Sequence, residues 1–163
     1  MINVVLYTLL LVELIFVSFI DIRTKKISNL WSLLHIVLFI GIQIYVNELP
    51  ELTHFIFPLG MIVVGFILFL FHVMGAGDSK YLASLFLLIP TPLHMPYMEK
   101  LLTVTIFVGT ILLTMKFVKS AAKIKAYLMT FYFKALKDEI NSRFSYAPVI
   151  LVSWILFGIT LWQ

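Results

Sequence analysis

Cysteine is absent from the 163 residues, so neither a disulfide nor a thiolate-bound metal holds this chain together. Charge is scarce too. Only 12% of the residues are Asp, Glu, Lys or Arg, about half the share of a typical soluble domain. What is abundant is apolar: 62% of the chain is hydrophobic, mean hydropathy is +1.07, and the apolar runs recur along the whole length. These features predict an all-α, polytopic membrane protein, one integral-membrane domain over residues 1–163. The opening run MINVVLYTLLLVELIFVSFI has no basic region before it and no small-residue cleavage signature after it. It reads as a retained first span. The net charge of +4 says little by itself, and nothing points to a nucleic-acid partner.

A helix needs about 20 mostly apolar residues to cross the hydrocarbon core. By that measure, spans are expected near residues 2–20, 30–46, 52–73, 101–118 and 147–162. The segment 79–97 is ambiguous, because its apolar part YLASLFLLI is short and Pro90, Pro92 and Pro96 follow. Charge placement decides in favour of a crossing. With six spans, Arg23, Lys25, Lys26, Lys80, Arg143 and the lysines of the stretch 116–137 share one side, and only Lys100 lies on the other. The excess of Lys and Arg marks that side as cytoplasmic and places both termini outside, in a cytoplasmic (inner) membrane. Between 119 and 145, Ile124, Tyr127, Leu128, Phe131 and Leu136 recur at helical spacing opposite Lys119, Lys123, Lys134 and Lys137. This pattern predicts a basic amphipathic helix lying in the cytoplasmic interface before the last span, against anionic headgroups of the bilayer.

The apolar chain is interrupted at MGAGDSK, residues 74–80, where Asp78 follows two glycines at a cytoplasmic span boundary. A turn with a capping aspartate is one reading. A second carboxylate at the same depth would give another, and Asp21 in FIDIRTKKISN, at the end of the first span, is the one at a matching boundary. Alone, Asp21 beside Arg23 reads as a hydrated boundary charge. Two carboxylates brought close in a partly dry site cannot both ionise easily and share one proton. One then acts as base toward a water, while the other polarises the carbonyl under attack. The glycines permit close approach of another backbone before Asp78, such as a peptide substrate.

At these residues the chain resembles the type IV prepilin peptidases, membrane aspartyl proteases with a G-x-G-D motif. Gly75-Ala76-Gly77-Asp78, with Lys80 two residues on, is similar to the family's second catalytic motif. Asp21 with Ile27 and Asn29 is similar to the first, and FSYAPVILVSW to the start of the family's last span. The chain departs from the family pattern where Ser28 replaces a Pro and where Ser145-Tyr146-Ala147 replaces Pro-Tyr-Gly. The length resembles the short members that serve Flp-type or tight-adherence pili. The resemblance implies Asp21 and Asp78 as catalytic residues, with Gly75, Gly77, Lys80 and Asn29 on the substrate side. It implies cleavage of a short basic leader from pilin-like or pseudopilin precursors at the cytoplasmic face, without the methylation performed by longer members and without a cofactor.

Other residues carry less. Glu13 lies mid-span, where an ionised carboxylate costs several kcal/mol, so it is expected to be protonated or paired inside the bundle. Asn29 reads as a cap of the second helix or as an orienter of Asp21. Trp31, Tyr97, Tyr146 and Trp162 read as interfacial anchors. His35, His54, His72 and His94 are scattered, with no spacing that favours a metal site. The rival class is a non-enzymatic component of a pilus or secretion assembly, or a small transporter; a transporter should place polar groups at mid-membrane across several spans.

Overall fold

The structure is a computed structural model that describes residues 4–47, 49–70, 74–129 and 145–161; within 112–129 it describes side chains only at Thr114, Met115 and Val118. Among the described residues, six α-helices follow one another: α1 (Val4–Thr24), α2 (Asn29–Val46), α3 (Ile56–Leu70), α4 (Ala76–Leu88), α5 (His94–Met129) and α6 (Ala147–Leu161). Short 3-10 turns at Leu52–Phe55 and Thr91–Leu93 lead into α3 and α5. No strand occurs among the described residues.

Local chemistry sets the boundaries. Lys25 adopts the left-handed conformation (φ 52°), and its N–H reaches the Asp21 carbonyl at 2.7 Å, closing α1. Ser28 opens α2, its hydroxyl accepting from the Leu30 N–H at 3.3 Å. The cap is therefore Ser28, the residue that stands where the family has Pro, and not Asn29, which is exposed in the first turn. Ile89, extended and followed by Pro90, ends α4, since a residue before proline disfavours the helical region.

Three helices, Val4–Thr24, Asn29–Val46 and the stretch Leu52–Leu70, are long and apolar enough to cross a membrane. Their outward faces carry Val12, Phe16, Val37, Ile40, Val63 and Phe66 in the open, a surface suited to lipid rather than water. At 13 residues, α4 is about 20 Å long, short for a span. It nevertheless runs through the bundle. Its first turn abuts Ile27 between α1 and α2, and its last turn meets the α2–α3 connection, where His54 Nε2 donates to the Leu87 carbonyl at 2.9 Å. That accounts for the ambiguity of segment 79–97: a short, nearly fully buried helix, then a proline break. The basic amphipathic helix expected over 119–145 falls mostly outside the described residues, although the α5 backbone stays helical to Met129.

Helix packing falls into two sets: α4 lies against α3 and α2, and α6 against α1 and α5. Glycines permit the closest approaches. A side chain at Gly65 would overlap Ser79, and one at Gly158 would overlap the Tyr7 hydroxyl. Tyr7 stacks on Trp154 with ring centroids 5.2 Å apart and donates to its carbonyl at 3.1 Å. Tyr97 is not an interfacial anchor but a core residue, fully buried against Phe86, Trp154 and Phe157. It lies in the first turn of α5, on the face that packs into the bundle, and not at the interface expected from its position near a proline-rich break.

Candidate active site

Asp21 is the last buried position of α1, on the face shared with Leu10, Leu14 and Val17. It is only 2% exposed and so is not a hydrated boundary charge; Arg23 turns instead over the Phe19 ring, 4.1 Å from its centroid. The carboxylate is held by α6. Its Oδ2 accepts from the Ala147 N–H at 3.1 Å, while the Ser145 hydroxyl donates to the Asp21 backbone carbonyl at 3.2 Å. Unpaired N–H groups at a helix start favour a negative charge, so the N-terminus of α6 is an apt mount for an aspartate 126 positions earlier. The Ser145 hydroxyl bond is one that proline could not make, and the Tyr146 hydroxyl lies 2.8 Å from Thr105 Oγ1.

Asp78 occupies the third position of α4, after Gly75 at the helix cap. Its Oδ2 accepts from the Gly75 N–H at 2.9 Å, the carboxylate half of a capping box. The capping reading of MGAGDSK is therefore correct as geometry. It does not exhaust the residue, because Asp78 is 6% exposed and lies within electrostatic reach of Asp21. Asp78 sits outside the three helices long enough to span, at the entry to α4. Burial pushes its titration up to about 6; the Gly75 N–H bond opposes this, and the Asp21 charge adds to it. Tyr146, just before α6, is likewise raised by burial, with Asp78 a contributing charge, so Tyr146 also belongs to this neighbourhood.

Each glycine has a specific task. A Cβ on Gly77 would fall 2.7 Å from the Ile27 carbonyl oxygen, so only glycine lets α4 start against the α1–α2 connection. The backbone that approaches Gly77 is thus the chain's own. A Cβ on Gly75 would meet Asp78 Oδ2 at 3.0 Å and disturb the cap. The structure therefore gathers Asp21, Asp78, Gly75 and Gly77 at one end of the bundle. Lys80 and Asn29 belong to the same end but are exposed. An open cavity of about 390 Å³ lies alongside, lined by Ile22, Val108, Val149 and Val152 together with Lys25 and Ser145.

A second polar group lies deeper, and most of it was not legible in the sequence. Glu13 Oε1 is 2.9 Å from His35 Nε2 and accepts from the Tyr81 hydroxyl at 3.3 Å. His35 Nδ1 lies 2.9 Å from the Ser84 hydroxyl. Glu13 is paired inside the bundle, as a mid-span carboxylate must be. Its partners come from α2 and α4, and no sequence spacing links them. His54 and His94 also meet, ring centroids 5.3 Å apart, but their nitrogens engage Thr91 and the carbonyls of Leu87, Phe86 and Ile89.

A model of the type IV leader peptidase family matches residues 8–162. No curated protein and no solved structure matches the chain.

Proposed function

The chain belongs to the type IV leader peptidase family, and from that premise we propose that it is a membrane aspartyl endopeptidase in which Asp21 and Asp78 form the catalytic pair. One observation carries the reading: two aspartates 57 positions apart are both withdrawn from solvent at one end of the bundle, close enough for the charge of one to act on the other. Each is anchored through one oxygen by a backbone N–H, Ala147 for Asp21 and Gly75 for Asp78.

The reaction follows from this arrangement. The pair holds one proton. The ionised member takes a proton from a water whose oxygen attacks the scissile carbonyl carbon, and the protonated member donates to the carbonyl oxygen, giving a gem-diol. The proton taken from water then passes to the departing amine as the C–N bond breaks, and one gem-diol hydroxyl returns its proton to the other member, leaving a new carboxyl, a new N-terminus and a pair that again holds one proton. The two members are not assigned separately, since a coupled pair titrates as a unit.

The substrates are pilin-like precursors, cleaved between a short basic leader and a hydrophobic helix. Asp21 and Asp78 face the cytoplasm, on the side rich in Lys and Arg, with six spans and both termini outside. Gly77 gives its open side to the Ile27 carbonyl and Gly75 leaves room for the Asp78 carboxylate, Lys80 and Asn29 stand at the exposed margin of the site, and the apolar cavity beside Ser145 offers a place for the precursor's hydrophobic segment. The test is processing of a co-expressed pilin-like precursor by the parent chain and by Asp21→Asn and Asp78→Asn, each checked for membrane abundance. Loss of processing in both variants at normal abundance is expected. Processing that survives both substitutions would return the chain to a non-enzymatic role in pilus or secretion assembly.

A further inference from the structure

The Glu13 cluster has a proton inventory that can be worked out from its bonds. Ser84 has one hydroxyl proton, and it is donated to the Tyr81 carbonyl at 2.8 Å. Toward His35, Ser84 can therefore only accept, so His35 Nδ1 carries a hydrogen. The other ring nitrogen, Nε2, lies 2.9 Å from Glu13 Oε1, an ion-pair separation without hydrogen-bond alignment, and Glu13 Oε2 has no hydrogen-bond partner among the described residues. Tyr81 supplies a donor to Oε1. The Ser-His-Glu order resembles a nucleophile relay, but the Ser84 proton is committed to a carbonyl, and His35 and Ser84 are 0% and 4% exposed. The cluster is built to hold and not to react.

What it holds is the join between the two helix sets. Asp78 rides on α4, in the set with α2 and α3; Asp21 rides on α1, in the set with α5 and α6. Glu13 precedes Asp21 by eight positions on α1, and Tyr81 follows Asp78 by three on α4, so the Tyr81–Glu13 bond ties the helices a short way in from the carboxylates. His35 adds a tie from α2, and its ring packs on Tyr81 with centroids 5.0 Å apart. We propose that Glu13 is a positioning residue: through Tyr81 and His35 it fixes α1 against α4 and α2, and so sets the spacing at which Asp21 and Asp78 act together. This rests on the aspartyl reading for its kinetic consequence only.

Glu13→Leu removes both ties, and Tyr81→Phe removes one hydroxyl. Glu13→Gln keeps them with its amide nitrogen in the place of Oε1, one N–H donated to His35 Nε2 and the other to the Tyr81 hydroxyl oxygen. In the full chain in lipid vesicles, Glu13→Leu should lower kcat for precursor cleavage by about tenfold to a hundredfold with KM within about twofold, and Glu13→Gln should restore it. Because the chain has no cysteine, spin labels on Arg23→Cys and Ala76→Cys, at exposed sites near the two aspartates, report their helices' separation. Glu13→Leu should shift or broaden that distance, and Glu13→Gln should not. Where Glu13→Leu does not reach the membrane, Tyr81→Phe carries both measurements. An unchanged distance in Glu13→Leu or Tyr81→Phe, or a Glu13→Gln variant no better than Glu13→Leu, overturns the proposal. A parent chain that cleaves no precursor sinks the aspartyl reading, while the label distances still decide whether Glu13 ties the halves together.

Discussion

The bundle buries three carboxylates, and it holds them in two different ways. Asp21 and Asp78 are anchored by backbone N–H groups at the starts of α6 and α4; Glu13 is anchored by side chains from the middles of α4 and α2. Helix starts have unpaired donors to offer and lie at the end of the bundle, where the start of α6 borders the open cavity. Helix middles have no spare backbone donors, so a carboxylate there needs Tyr81 and His35, and packing closes around it. The first arrangement sets two carboxylates at the end of the bundle, and the second ties its interior together. It follows that backbone geometry governs the aspartates, whereas side-chain identity governs Glu13.

Substitutions can break this contrast, and the largest effect belongs to the aspartates themselves. Asp21→Asn or Asp78→Asn preserves shape and loses the proton exchange, so precursor cleavage should fall by roughly 10²–10⁴-fold in a membrane assay. A smaller effect comes from backbone geometry. Gly77→Ala pushes a methyl toward the Ile27 carbonyl, 2.7 Å away, and should cost about 1–3 kcal/mol in denaturation measurements as well as cleavage. An Ala variant equal to the parent in both would show that the approach of α4 to the α1–α2 connection is not a constraint.

Asp78→Asn also sharpens the comparison through stability. An acid whose titration is raised from 3.8 to about 6 binds its proton more tightly in the folded than in the unfolded chain, so its contribution is present at low pH and is lost as pH rises through about 6. The Asn variant should therefore be more stable than the parent by about 1–3 kcal/mol at pH 7.5 but not at pH 3.5, below the unfolded value. Equal melting at both values would mean that burial of Asp78 exacts no such cost. The smallest effect lies away from all three carboxylates. Ser28→Ala deletes the cap of α2 and should lower stability by about 0.5–2 kcal/mol, with cleavage unchanged.

Much of the site was legible because its signals are local. Asp78 after two glycines and Asp21 at the end of an apolar run are visible within a few residues, and hydropathy alone puts them at one boundary. The α2 cap was misread by one residue, since Ser28 and Asn29 are both capping types and only backbone geometry distinguishes them. Tyr97 looked like an anchor because it sits near prolines that mark a break; the turn at Thr91–Leu93 instead directs it into the core.

The sequence by itself determined an apolar, all-helical chain suited to a membrane, the family, and three of the expected spans, and it singled out two aspartates at the ends of apolar runs. These follow from composition, run length and short motifs, which act over one or two helical turns. Only the tertiary structure decided that Ala147 holds Asp21, that Ile27 fills the space Gly77 leaves, and that Glu13 finds His35 and Tyr81. Such partners lie tens to more than a hundred positions apart, and the rotation and depth at which helices pack are fixed by many weak contacts together, which no short stretch of sequence encodes.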